Sequence, residues 1–280
     1  MSQQLRFAYN TNGCNNHRLH DAIDLIAEAG YNGIALTLDW QHLDPFAEDW
    51  QQQTEKLKEK LDALGLSSVI ETGARYLLDP REKHEPTFLN PQQIGRARRL
   101  TFLKRAVDIA AILEAEAVSF WAGVKQEQVS DHDAHTYLKT GVNALSAYAE
   151  IKKVTLALEP EPGMLIETLA DLDQLNKELD IPIPLALDVG HVWVTDEMEP
   201  AEAVKKYAKN SATAAIEGMN KGVHIHLPVT DGDMDVPKIV AAFKQQNYDK
   251  LICVELSRES HRAHKAIFES IAALRDMEAR

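Results

Sequence analysis

Five apolar runs in this sequence end on, or close beside, a side chain that can hold a cation or move a proton. SSVIE ends on Glu71, VTLALE on Glu159 and LICVEL beside Glu255, PLALDV carries Asp188 and GVHIHL carries His224 and His226. Packing alone does not account for them. Carboxylates gathered without a partner repel one another and lose hydration, so a divalent cation is the expected neutraliser. Glu159, Asp188, His226 and Glu255 make a set of three carboxylates and one imidazole suited to Mn²⁺, Mg²⁺, Co²⁺ or Zn²⁺. The carboxylate excess favours one Mn²⁺ or Mg²⁺.

The elements that must position these groups recur along the whole chain. Strand candidates lie at 5–9, 33–38, 68–72, 117–121, 154–159, 184–189, 222–227 and 251–256. Most are continuous apolar runs, as parallel strands buried on both faces require. Between them the apolar residues take helical spacing: Leu19, Ile23 and Ile26, then Leu57, Leu61 and Leu64 before Gly65, then Leu138, Val142 and Leu145. Leu169, Leu172 and Leu175, then Val204 and Tyr207, then Ile267, Ile271 and Leu274 continue the series. Asn90 and Pro91 read as the cap and first turn of the helix that carries Leu103 and Val107. Eight strand–helix units predict an α/β fold, a (β/α)₈ TIM barrel occupying 1–280 as one domain. No glycine-rich phosphate loop follows the first strand, which argues against a doubly wound open sheet. In such a barrel the strand C-termini share one mouth, and the polar strand ends above meet there.

Composition narrows the partners. The 280 residues hold 43 acidic against 30 basic side chains, a net charge of −13. That balance disfavours nucleic acid and anionic membranes but leaves room for a small phosphorylated substrate held by one or two arginines. The N-terminus reads as no signal peptide, and no run is long enough to span a bilayer. Cys14 and Cys253 have no CxxC spacing, so reduced thiols and a cytoplasmic location are expected.

The motifs ALEPEPG (157–163), LDVGH (187–191), HIHLPVTDGD (224–233) and CVEL (253–256) resemble the sugar isomerase/epimerase group of xylose isomerase-like barrels, with IAEAGYNGIALTLD (26–39) extending the likeness towards the start. The resemblance implies an isomerase or epimerase of a small sugar or polyol, as a homodimer or homotetramer. It implies that Glu159 and Glu255 are both metal ligands and the acid/base pair, and that Asp188 and His226 complete the metal site. His191 would contact a substrate oxygen. His226 is preferred to His224 because it lies nearer the expected mouth and matches the family's His-Leu position. His224 is expected one layer down.

Other residues are placed by position. Arg258, three residues past Glu255, and Arg75, just past the third strand, could hold a substrate oxyanion. The segment 73–90 around Arg75 reads as a loop over the mouth. His42 follows the second strand and points to the same region, and Trp40, Trp121, Trp193 and Tyr9 fall near strand ends. Competing functions share the site. A dehydratase of a cyclic polyol or keto acid would begin with the same proton abstraction. A phosphodiesterase of the apurinic endonuclease type would need a multi-zinc site with an Asp-x-His pair after the seventh strand. There this chain offers Asp231-Gly232-Asp233.

Overall fold

Eight parallel strands hydrogen-bond into a closed barrel in the computed structural model, which describes residues 4–280. They are β1 (Arg6–Asn10), β2 (Gly33–Thr37), β3 (Ser67–Glu71), β4 (Val118–Phe120), β5 (Leu156–Leu158), β6 (Leu185–Asp188), β7 (Ser211–Ile216) and, after a short hairpin, β10 (Leu251–Val254). The hairpin pairs β8 (Gly218–Asn220) antiparallel with β9 (Val223–Leu227).

The seventh barrel strand corrects the expectation at 222–227. VHIHL is a strand, but it belongs to the hairpin and is only half buried, whereas SATAAI beside it is almost wholly buried and closes the barrel between β6 and β10. Small side chains hid β7. Its alanines carry no apolar run, yet a barrel interior has little room, and Ala8, Ala35, Ala117, Ala157, Ala186 and Ala212 fill it together with Val69, Leu251 and Cys253.

The helices ring the barrel with their apolar stripes inward. Expected stripes fall on α1 (Leu19–Glu28), α2 (Trp50–Leu64), α4 (Asp131–Lys152), α5 (Leu169–Asn176), α7 (Pro200–Tyr207) and α9 (Ala263–Ala279). Gly65 ends α2 at φ 66°, a left-handed conformation that suits glycine. Ser130 caps α4, and Thr168 with Asp171 forms a capping box on α5. The helix α3 (Gln93–Leu113) starts later than expected. Asn90 instead folds its side chain onto the backbone N–H of Gln92, and Gln92 stands at the cap position. The short α6 (Val189–Thr195) follows β6 without a break, and α8 (Val236–Gln245) precedes β10. No helix among the described residues is long and apolar enough to cross a membrane.

Candidate active site

The strand ends deliver their polar side chains to one place. Glu71, Glu159 and Glu255 line a pocket of about 420 Å³ at the barrel mouth, with Asn12, Arg75, Trp121, His191 and Arg258 around them. Asp188 faces the narrower space beneath, which the three glutamates also line. The hairpin strand β9 folds over this mouth and places His224 and His226 in the same pocket.

Each carboxylate has a distinct setting. Glu255 receives both a 2.9 Å hydrogen bond from Asn12 Nδ2 and a 3.3 Å bond from Asn10 Nδ2, one on each oxygen. Among the described residues Glu159 receives only Ser119 Oγ, at 3.4 Å. Asp188 serves two elements, ending β6 and capping α6, where its Oδ1 accepts the His191 N–H at 2.9 Å. His191 then stands between carboxylates, with Nε2 3.6 Å from Asp188 Oδ2 and Nδ1 3.6 Å from Glu159 Oε1.

Burial and mutual repulsion control the protonation of this cluster. Burial, with Glu161, Asp188 and Glu255 nearby, holds Glu159 well above the usual carboxylate range. Burial and Glu255 push Glu71 up to about 7. Glu255 is also raised by burial and Asp188, but the Asn12 hydrogen bond works the other way. Burial acts to raise Asp188 too, yet His191 and His226 outweigh it and leave Asp188 below its ordinary value. Burial and the neighbouring His191 and His226 take His224 down to about 4.

The expected residues are only partly gathered. Ligand atoms of Glu159, Asp188 and His191 lie within 4.8 Å of one another, and so do those of His191, His224 and His226. His226 therefore keeps company with two imidazoles. Its Nδ1 is also 3.9 Å from Glu217 Oε2. The expected layering of the strand-seven histidines is reversed, because both lie on the hairpin: the His224 side chain is 31% exposed and that of His226 12%. The segment after β7 thus holds His224 and His226, but an Asp-x-His pair is still lacking there, and the net charge of −13 remains as it was.

Arg75 and Arg258 reach the pocket, and Arg75 also donates to the Asn12 carbonyl at 3.3 Å. The loop carrying Arg75 adds Lys83 and His84 to the lining and is turned by Ala74 and His84, both at positive φ. His42 is not among the lining side chains; its backbone N–H donates to the Asp39 carbonyl in the turn after β2. Trp121 lines the pocket under the Arg99 guanidinium, Trp193 donates to Asp233, Trp40 is exposed and Tyr9 is core.

Glu217 was missed. It follows β7 directly, opposite Glu255 by continuation of the Ala215–Cys253 register, and is wholly buried. Burial and Asp188 hold it well above the carboxylate range. Reading SATAAI as a strand would have exposed it as one more acidic strand end. Asn12 was missed because it sits in the turn after β1, where only its contact with Glu255 marks it.

The family described as "Xylose isomerase-like TIM barrel" matches residues 23–277. Among curated proteins none matches the sequence. Several solved structures share the fold. One is the IOLI protein with a bound zinc atom, at 17% identity, 98% coverage of both chains and a TM-score of 0.78. Another is the D-allulose 3-epimerase from Methylomonas sp. in complex with D-allulose, at 17% identity, 98% coverage of both chains and a TM-score of 0.74. A third is the 3-keto-D-glucoside 4-epimerase from E. coli, at 15% identity, 98% of this chain and 100% of that one, with a TM-score of 0.75.

Proposed function

The chain belongs to the xylose isomerase-like TIM-barrel family, and on that premise we propose that it is an isomerase or epimerase of a small sugar or polyol. The observation that carries this reading is the pair Glu159 and Glu255, two partly buried carboxylates lining one pocket in unequal settings. A pocket of about 420 Å³ lies within the usual range for small-molecule sites. A sugar complex of a similar fold, the D-allulose structure above, supports the substrate class.

The residues fit a divalent cation. Asp188 Oδ2, His191 Nε2 and His226 Nδ1 are buried with no hydrogen-bond partner among the described residues, and the surrounding donors are mostly carboxylate oxygens. Glu159, Asp188 and Glu255 would hold the ion, with the imidazoles of His191 and His226 on its histidine side. When bound, it would polarise a substrate carbonyl and offset the clustered negative charge.

The protein's own groups divide the proton work. Amide donors on both Glu255 oxygens favour its ionised form, so Glu255 takes the proton from the carbon next to the carbonyl. Glu159, which lines the same pocket and receives a 3.4 Å bond from Ser119, is the second carboxyl group, the one that passes a proton back. Arg258 and Arg75 bind substrate oxygens at the rim, while Trp121 and the 73–90 loop exclude water. The test is NMR in D₂O across ketoses, aldoses and cyclic ketones, with Mn²⁺ or Co²⁺ present. Deuterium appearing at one carbon without loss of water supports the reading. Loss of water identifies a dehydratase instead, and no exchange with any substrate overturns both.

A further inference from the structure

The mouth of the barrel does not end at the carboxylate pocket. A second cavity of about 540 Å³ adjoins it, walled by the loop after β3, the loop after β4 and Met164 from the loop after β5. Trp121, Lys83 and His84 line both spaces, so the two are lobes of one opening. Each lobe alone has the size of a small-molecule site. A monosaccharide held at the carboxylates would therefore not reach across the outer lobe. That lobe has a defined base. Its three loops meet at Gly123, whose φ of 101° suits glycine and where a β-carbon would stand 2.6 Å from the Thr87 side chain. The Gly123 N–H donates to Met164 Sδ at 3.3 Å, and its carbonyl accepts from the Leu165 N–H at 3.0 Å. Val124, next along the chain, lines the cavity and is 55% exposed.

The lining has the chemistry that holds an uncharged, hydroxylated ring. Val124, Met164 and the Trp121 indole supply apolar surface for C–H faces. Gln126 and Gln128 share one amide hydrogen bond of 2.7 Å, which leaves other donors and acceptors of both groups for hydroxyls. His84 Nδ1 lies 2.8 Å from the Gly73 carbonyl, and donating there leaves Nε2 as an acceptor. Charge disfavours a phosphate. Glu82, Glu85 and Glu127 line the lobe, Lys125 is paired with Asp131 at 2.6 Å, and Lys83 is the one lining cation without an ion pair among the described residues.

We propose that the substrate is a glycosylated sugar, whose carbonyl unit occupies the carboxylate pocket while a second, uncharged sugar unit lies in the outer lobe against Val124, Met164 and Gln126. This names the substrate class of the isomerase or epimerase reading and rests on that reading. Lys83 and His84 stand at the junction of the lobes, where the linkage between the two units passes.

Maltulose, isomaltulose and turanose, glucosyl-fructoses that keep a free ketose, test this beside D-fructose and a phosphorylated fructose. Saturation-transfer NMR on the full chain equilibrated with Mg²⁺ reads which rings touch the protein, and deuterium exchange reads turnover. At least one disaccharide should show saturation in both rings and exchange with a kcat/KM roughly 10-fold above that of D-fructose. Val124→Trp fills the lobe, so it should abolish both the glucosyl saturation and that advantage while D-fructose behaves as with wild type. Gln126→Ala should weaken the glucosyl signal. Saturation confined to the fructosyl ring or absent in every disaccharide, tighter binding of phosphorylated fructose than of any disaccharide, or both signals retained in Val124→Trp overturns the proposal. Contact of both rings without exchange on any sugar would instead sink the isomerase reading and leave the outer lobe as a sugar-binding site.

Discussion

A β-carbon placed on Gly190 would stand 1.9 Å from Glu217 Oε1, so the bare backbone at the start of α6 is what admits the Glu217 carboxylate beside Asp188. The missing side chain is thus part of the site's construction. Gly190→Ala must displace a buried acid that has no free space, and overpacking of this kind costs about 1–3 kcal/mol. Urea unfolding should show that loss, and adding Glu217→Ala should recover part of it. An unchanged midpoint in Gly190→Ala would mean that the Glu217 side chain is not held there.

Stability of the metal-free protein should fall as pH rises from about 6.5 to 8. Glu71, raised to about 7, and Glu159 and Glu217, raised well above the carboxylate range, bind protons in the folded chain that the unfolded chain has already released. The folded state then holds more protons than the unfolded one, and the slope of stability with pH is negative. Below about 6.5 the sign is contested, because His224 and His84, both lowered to about 4, take up protons first in the unfolded chain. Thermal unfolding at several pH values reads the slope. Saturating Mn²⁺ should flatten it by replacing the protons, and a midpoint rising across that window contradicts the clustered-carboxylate picture.

Asn12→Ala should act chiefly through Glu255, to which Asn12 donates at the pocket wall. Losing the 2.9 Å donor raises the Glu255 pKa, so the acidic limb of the pH–rate profile, on which Glu255 ionises to become the base, moves to higher pH by roughly one unit. Turnover near neutral pH falls while KM changes little. A pH–rate profile superimposable on wild type would remove Asn12 from the account.

Glu159→Gln and Glu255→Gln should each cut deuterium exchange by about 10²–10⁴-fold, the usual worth of a positioned acid or base. Loss of metal could mimic this, so Mn²⁺ content is measured on the same samples. A variant that keeps metal and full exchange rules out that glutamate.

Arg258→Ala should raise KM roughly 10-fold or more, the value of a charge-assisted hydrogen bond, with kcat nearly unchanged. The effect should be larger on phosphorylated than on neutral sugars. A pure kcat effect would place Arg258 nearer the reacting carbon than its rim position suggests.

Strand ends and helix stripes were legible because their signals are local: apolar runs closing on Glu71, Glu159, Asp188 and Glu255, and leucines at helical spacing between them. Alternation of those units determined the barrel, and the barrel's single mouth brought the three glutamates to one pocket. The seventh strand had no such signal. SATAAI is built from small side chains that suit a crowded interior, and VHIHL next to it reads as the better strand by period alone. Only closure of the barrel decides between them, since β7 must bond to both β6 and β10 while a hairpin strand need not. That choice moves His224 and His226 off the barrel wall and onto a flap above it, and puts Glu217 in the vacated register. Which donors meet is a matter of tertiary packing, because imidazoles from β9 and α6 become neighbours only when the hairpin folds over the mouth.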